Sequence, residues 1–244
     1  MPASSSRLPI GTVTFLFTDI EGSTRVLTTL GGDSYRVVLA THAAILRDAI
    51  GSNAGTEVST EGDAFFAVFR SAVDAVNAAL AAQRGLFEAA WPPGGTIRVR
   101  MGLDTGIGAL GADDYVGLDV HRAARIAAAG HGGQVLMSDA TRALVAEGLP
   151  GGVNVRDLGE HRLKDFERPV RLFQLDIDGL PTEFPALKTL DARGGNLPAQ
   201  LTSFVGRDRE LSGLIELLRA HRLVTLTGAG GSGRHAWRSR RLDG

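Results

Sequence analysis

The stretch Thr14–Thr24, TFLFTDIEGST, constrains what this chain can fold into more than any other. Thr14–Phe17 is β-branched and aromatic, short and apolar, and reads as a buried strand. Asp19 and Glu21 follow at its end, and Gly22-Ser23-Thr24 then turns into a helical stretch with Ser23 or Thr24 as a plausible N-cap. Where a strand runs into a helix N-terminus, unpaired backbone N–H groups attract phosphate. A carboxylate beside them can hold the Mg²⁺ that phosphate brings. An ordinary turn residue capping the helix fits Asp19 alone equally well.

A second stretch bears on that choice. Thr56–Thr60 and Ala64–Phe69 read as two strands joined by the tight turn Glu61-Gly62-Asp63, with Asp63 at the tip. If the first strand pairs beside this hairpin, Asp19 and Asp63 face each other. Two carboxylates in one site repel unless a cation lies between them, and that is the chemistry of a two-metal phosphoryl-transfer site.

Along the rest of the chain, Asp33 to Ile50 is helical, with Tyr35, Val38, His42, Leu46 and Ile50 on one apolar face. His42 there reads as a packed core-edge histidine, not a ligand. Ser71 to Ala90 is a second helix, opened by a Ser71/Asp74 capping box, with Val73, Val76, Leu80 and Phe87 as its buried stripe. Thr96–Asp104 alternates strictly and reads as a strand, and Thr105–Leu110 is expected to pair back on it as a hairpin. A helix follows over Leu118–Ala129, on which His121 and Arg125 share a face at i and i+4. The strand Gln134–Met137, a helix capped by Ser138 or Asp139, and strands at Val153–Glu160 and Pro169–Leu175 complete the pattern. The order is βαββαβ with extra elements at the end. It predicts an α+β, ferredoxin-like domain, an antiparallel sheet with helices on one face.

Composition narrows the function classes. The 244 residues are 43% hydrophobic and 22% charged, with a formal net charge of −1, so neither nucleic acid nor an anionic membrane is an expected partner. With no cysteine, disulfides, thiolate metal sites and a cysteine nucleophile are excluded. There is no apolar run of about 18 residues, and the N-terminal MPASSSRLPIG lacks the apolar core of a signal peptide. A cytoplasmic protein is expected.

Three segments taken together, FTDIEGST, EGDAFFAVF and YVGLDVHRAARIA, resemble the signatures of class III nucleotidyl cyclases, in the right order. The resemblance covers residues 9–177. It implies conversion of ATP or GTP to the 3′,5′-cyclic monophosphate and pyrophosphate. It implies two Mg²⁺ or Mn²⁺ per site, held by Asp19, Asp63 and the Ile20 carbonyl, one acidifying the ribose 3′-OH and the other holding the β/γ phosphates. The backbone of Glu21, Gly22, Ser23 and Thr24 would cradle the polyphosphate. Arg125 matches the arginine that stabilises charge at the α-phosphate, and Asp114 the acidic partner of the adenine amino group. Lys164 matches a triphosphate-binding lysine. The family site lies between two subunits, so one chain with one motif set implies a homodimer with two composite sites.

At two positions the sequence departs from the pattern. Ser59 stands where the adenine-reading lysine is expected, and His121 where an asparagine orients the ribose and α-phosphate. Glu57, Ser59 and Glu61 alternate along their strand and are expected on one face; a carboxylate there can accept from guanine N1–H and its 2-amino group. Intact Asp19 and Asp63 favour a weak purine nucleotide cyclase in signalling, preferring ATP modestly. Ser59 and His121 favour the alternative, a catalytically silent cyclase-like domain that binds nucleotide or dimerises.

Residues 178–198 are rich in proline and glycine and read as a linker. Residues 199–244 resemble the opening of a STAND-type P-loop ATPase: a helix over Leu211–Arg219, a strand at Leu223–Leu226 and a glycine-rich loop at Gly228–Gly233. The P-loop needs Lys on the phosphates and Ser or Thr on Mg²⁺, and here Arg234 and His235 hold those positions. The segment is expected to be a truncated or frame-shifted remnant.

Overall fold

β-branched and aromatic residues make the first strand, β1 (Gly11–Ile20), whose even positions Leu16, Thr18 and Ile20 face one side of the sheet and whose odd positions Val13, Phe15 and Phe17 face the other. In the computed structural model, which describes residues 8–111 and 115–190, α1 (Ser23–Ser52) follows, bent at Gly31, where φ is +74°. The hairpin β2 (Thr56–Glu61) and β3 (Ala64–Phe69) comes next, then α2 (Ala72–Glu88) and β4 (Val99–Leu110). The order continues β5 (Tyr115–Val116), α3 (Leu118–Ala129), β6 (Val135–Ser138), α4 (Asp139–Val145), β7 (Val153–His161) and β8 (Val170–Ile177). The sheet order is β2-β3-β1-β4-β6-β8-β7, with β5 paired to β4. Its first four strands are antiparallel neighbours in the ferredoxin-like arrangement; β6 joins β4 in parallel.

Caps fall where short hydroxyl residues precede apolar periodicity. Ser71 Oγ accepts from the Asp74 N–H at the start of α2, and Ser138 Oγ from the Thr141 N–H at the start of α4. The N-cap of α1 is neither Ser23 nor Thr24 but Gly22, in the left-handed region (φ +72°), with no side-chain cap. Within α2 the inward residue near the end is Leu86, 4% exposed, and Phe87 is 62% exposed.

Helices cover both faces, not one. α1, α2 and α4 pack on the even side of β1, around Leu46, Val76, Leu80 and Val145. α3 packs on the other, with Ala123 against Phe15 and Phe66, and Ile126 against Leu136 and Leu172. The α3 backbone comes so close to β4 that a Cβ on Gly102 would lie 2.2 Å from the Ala127 nitrogen. The expected Thr105–Leu110 hairpin is absent, because β4 runs unbroken to Leu110 and pairs with β1 as far as Gly11.

Past β8, residues 178–190 form a strap on the domain, although their composition reads as linker. Leu187 is 5% exposed among Ile126, Leu136 and Leu163. The Lys188 N–H donates to Ala129 O (2.8 Å) and the Leu190 N–H to Arg162 O (3.0 Å). The expected P-loop segment and residues 191–198 lie outside the described residues. Among the described residues no helix is long and apolar enough to cross a membrane.

Candidate active site

β1 pairs with β3 as far as Thr18↔Phe65, and this register carries the end of β1 to the β2–β3 turn. Asp63 accepts from the Ile20 N–H (3.2 Å) and from the Ser23 hydroxyl, and Ser23 also bonds the Tyr35 hydroxyl. Asp19 sits directly opposite Arg100 of β4, whose Nε donates to its carboxylate at 2.9 Å. Burial, and then the neighbouring Asp19 charge, raise the Asp63 carboxyl above its usual range. Tyr35 is raised too, by burial first and then by Asp63 and Asp19. An acid whose neighbour resists its ionisation is relieved by a cation. Two carboxylates and the adjacent backbone of Ile20 are hard oxygen donors of the kind Mg²⁺ and Mn²⁺ take, so the residues present fit such an ion. Among the described residues no group of three or more His, Cys, Asp or Glu side chains is placed to hold a metal ion.

Glu21 is committed elsewhere. Its backbone N–H donates to Arg98 O (2.9 Å), so it is not available to a polyphosphate. Its side chain accepts from the Gly132 N–H (3.1 Å) and pairs with Lys188. Partial burial works to raise this carboxyl, but Lys188 and the Gly132 N–H carry it below the ordinary range. Gly22, Ser23 and Thr24 form the turn into α1, with the Ser23 side chain turned to Asp63.

A cavity of about 280 Å³ opens on the α3 side of the hairpin, lined by Ser59, Glu61 and His121 together with Phe17, Phe66 and Tyr115. Asp19, Asp63 and Arg125 do not line it. Between Glu57 and Ser59 a bulge sets two residues of β2 against one of β3. Ser59 therefore pairs with Phe66 and faces α3, while Glu57 pairs with Ala67 on the α1 side, where it accepts from Arg47 at 2.8 and 3.0 Å. The expected single face for Glu57, Ser59 and Glu61 thus holds only for the last two.

On α3, the Arg125 guanidinium is held by Asp165 at 2.5 Å, a half-exposed pair. Asp165 is in the left-handed region (φ +69°), and its neighbour Lys164 is exposed, so the β7–β8 loop brings Lys164 to the vicinity of Arg125. Arg122, one step from His121, is clamped from below by buried Asp104 (2.7 Å) and from the side by Asp119 (2.8 Å). Burial pushes the Asp104 carboxyl up to about 6 against the pull of Arg122. His42 is a core residue, 1% exposed, its ring edge-on to Phe65, and burial pushes it down to about 4. Asp114 lies outside the described residues.

Sequence reasoning missed Arg100, Ser23 as a carboxylate partner, Asp165 and the Asp104–Arg122 clamp. Only the β1–β4 register pairs Arg100 with Asp19. Its one local signal is an arginine on the outward positions of an alternating strand.

Comparison with known proteins bears on the family and the fold. The family model for the adenylate and guanylate cyclase catalytic domain matches residues 6–176. An uncharacterised protein of Mycobacterium tuberculosis is 38% identical over 211 residues, covering 85% of this chain and 71% of that one. Among solved structures, an adenylate cyclase from Trypanosoma brucei in its monomeric state superposes with a TM-score of 0.66 at 28% identity, covering 76% of this chain and 98% of that one. The adenylyl cyclase CyaB from Pseudomonas aeruginosa gives 0.59 at 25% identity, covering 69% and 95%. With its paired acidic tips, its sheet order and a family match over most of its length, the chain belongs to the adenylate and guanylate cyclase catalytic domain family.

Proposed function

We propose that this chain is a weak purine nucleotide cyclase, forming 3′,5′-cyclic AMP, and less readily cyclic GMP, with pyrophosphate, as a homodimer with two composite sites. One observation carries the reading. Asp63 is bonded to the Ile20 N–H and raised by Asp19, while Ser59 and His121 line a cavity that neither aspartate enters. A second copy is the simplest way to bring the two sets to one substrate. Ile107, Leu110, Val116 and Leu118 are 42–71% exposed on β4, β5 and the start of α3, an apolar surface suited to that partner.

In this reading Asp19, Asp63 and the Ile20 carbonyl would hold two Mg²⁺ or Mn²⁺ ions. When bound, these supply charge neutralisation and acidify the ribose 3′-OH. The 3′-hydroxyl gives its proton to solvent water and its oxygen forms a bond to the α-phosphorus as the bond from phosphorus to the α–β bridging oxygen breaks, so that pyrophosphate leaves. From the partner, Arg125 offsets charge on the α-phosphate, and His121 donates one hydrogen bond toward the ribose. Lys164 meets the triphosphate, Gly22, Ser23 and Thr24 lie beside it, and Asp114 accepts from the adenine amino group. Glu61, beside Ser59 in the cavity, gives guanine an acceptor as well, which supports weak discrimination between the purines. The reaction is placed in the cytoplasm. Residues 199–244 are proposed as an ATPase-like segment without turnover of its own, given Arg234 and His235.

The test is product formation. Purified protein with Mn²⁺ or Mg²⁺ and ATP or GTP should yield cyclic nucleotide and pyrophosphate in equal amounts. Nucleotide binding or dimerisation with no product in either metal would replace this reading by that of a silent regulatory module, which Ser59 and His121 favour.

A further inference from the structure

A second cavity, about 390 Å³, lies away from the candidate active site, between the end of α2, the residues leading into β4, the 131–133 turn and the start of the strap. Its walls are mainly apolar. Phe87 comes from the end of α2 and Trp91 from just beyond it, and Leu180, Pro181 and Phe184 from the strap. The Trp91 indole N–H already donates to Leu86 O (3.0 Å), so its ring offers only an apolar face. Phe87 is 62% exposed, an aromatic ring without cover at the edge of a concave surface.

The polar lining is uneven. Glu21 and Glu183 reach the cavity, but Lys188 neutralises the first and Arg156 the second (2.8 Å). Arg98 also lines it, and among the described residues its side chain has no ion-pair or hydrogen-bond partner. Its backbone is fixed, since Arg98 O accepts the Glu21 N–H, and Gly132 packs against its base so closely that a Cβ there would lie 2.5 Å from the Arg98 Cβ. A cavity of this size, mostly apolar with one cationic side chain in its lining that is not already paired, has the make-up of a small-ligand site. A guanidinium fork matches a carboxylate, two bonds at once.

We propose that this cavity binds a small amphipathic monocarboxylate of the medium-chain fatty acid class, its carboxylate on Arg98 and its alkyl chain between Phe87, Trp91 and Phe184. The site stands independently of the cyclase reading. Titration calorimetry on the full chain, with decanoate below its micellar concentration and decan-1-ol as the neutral twin, tests it. Decanoate should bind saturably, one per chain, and decanol at least about tenfold more weakly, because it lacks the charge-assisted pair. Arg98→Gln should bring decanoate down to the level of decanol. Arg98→Lys, which keeps the charge, should retain part of the difference, and Phe184→Ala should weaken both ligands. No saturable decanoate binding, equal binding of the two ligands by the unaltered protein, or unchanged decanoate affinity in Arg98→Gln would each overturn the proposal.

Discussion

The acidic edge at the end of β1 and the cavity beside α3 are built on different plans. At the acidic edge each functional group is held by its own neighbourhood: Asp63 by the Ile20 N–H and Ser23, Asp19 by Arg100. At the α3 side Ser59 and His121 line a cavity without a strong donor between them, and Arg125 is occupied by Asp165. In the proposed function a cation at the first region would compete with Arg100 for the Asp19 carboxylate, while Asp63 is already oriented by the Ile20 N–H. The second, in the proposed function, would have to release Arg125 from Asp165 and also meet a partner before it could serve a substrate. Low turnover, in this reading, has its origin in the second region.

The largest effects should come from the acidic edge. Asp19→Ala and Asp63→Ala should each reduce metal-dependent turnover by on the order of 10³ or more, since the cations that carry most of the charge neutralisation lose a ligand. Thermal unfolding should be little changed, because both carboxylates are partly solvent-exposed. Unaltered Mn²⁺-ATP binding in both variants would remove the metal assignment.

The clamp under α3 gives a pH signature. Asp104 titrates near 6 when folded against a usual 3.8. Between those values the folded protein keeps a proton that the unfolded chain has released. The stability from this group is therefore complete below about pH 4 and lost as pH rises through about 6. Urea unfolding of wild type and Asp104→Asn should show the variant gaining ~2 kcal/mol relative to wild type between pH 4 and pH 7. A difference that stays constant with pH would mean that Asp104 is ionised throughout.

Selectivity should move less. Ser59→Lys restores a donor for adenine N1, and one hydrogen bond is worth only ~1 kcal/mol net. ATP preference over GTP, expected at roughly tenfold or less in wild type, should sharpen by a similar factor, with higher ATP turnover. An unchanged ratio in one Mn²⁺ buffer would place Ser59 outside the base pocket. The smallest effect belongs to Asp165→Asn. Freeing Arg125 from a half-exposed partner should raise turnover about fivefold at most, the worth of a surface ion pair. A fall in turnover would show that Asp165 positions Arg125 and does not restrain it.

Local signals made much of this legible. α3 occupies the residues its spacing predicts, between Gly117 and Gly130, and Ser71 and Ser138 cap the helices they precede. Features that depend on what lies across the sheet were not legible. Gly106 and Gly108 suggest a turn, yet they keep β4 extended and make room for Asp119 and Tyr115, whose atoms a Cβ would approach to 2.3 and 2.8 Å. Helical periodicity finds the apolar face of α3 but not the face of the sheet that receives it. The bulge at Val58, which separates Glu57 from Ser59, contains no glycine to announce it. In the candidate site, the aspartates were readable from their turns, whereas Arg100 and Asp165 arrive through register and a distant loop.

The composite site is tested most directly by complementation. Asp19→Ala disables the acidic edge and Arg125→Ala the α3 side, so each homodimer alone should be nearly inactive. Mixed in equal amounts and allowed to exchange subunits, half the dimers should be mixed, and each mixed dimer keeps one intact site, so about a quarter of wild-type cyclic nucleotide formation should return. Activity that stays at the level of the separate variants, in a mixture shown to contain mixed dimers, would contradict a site shared between two chains.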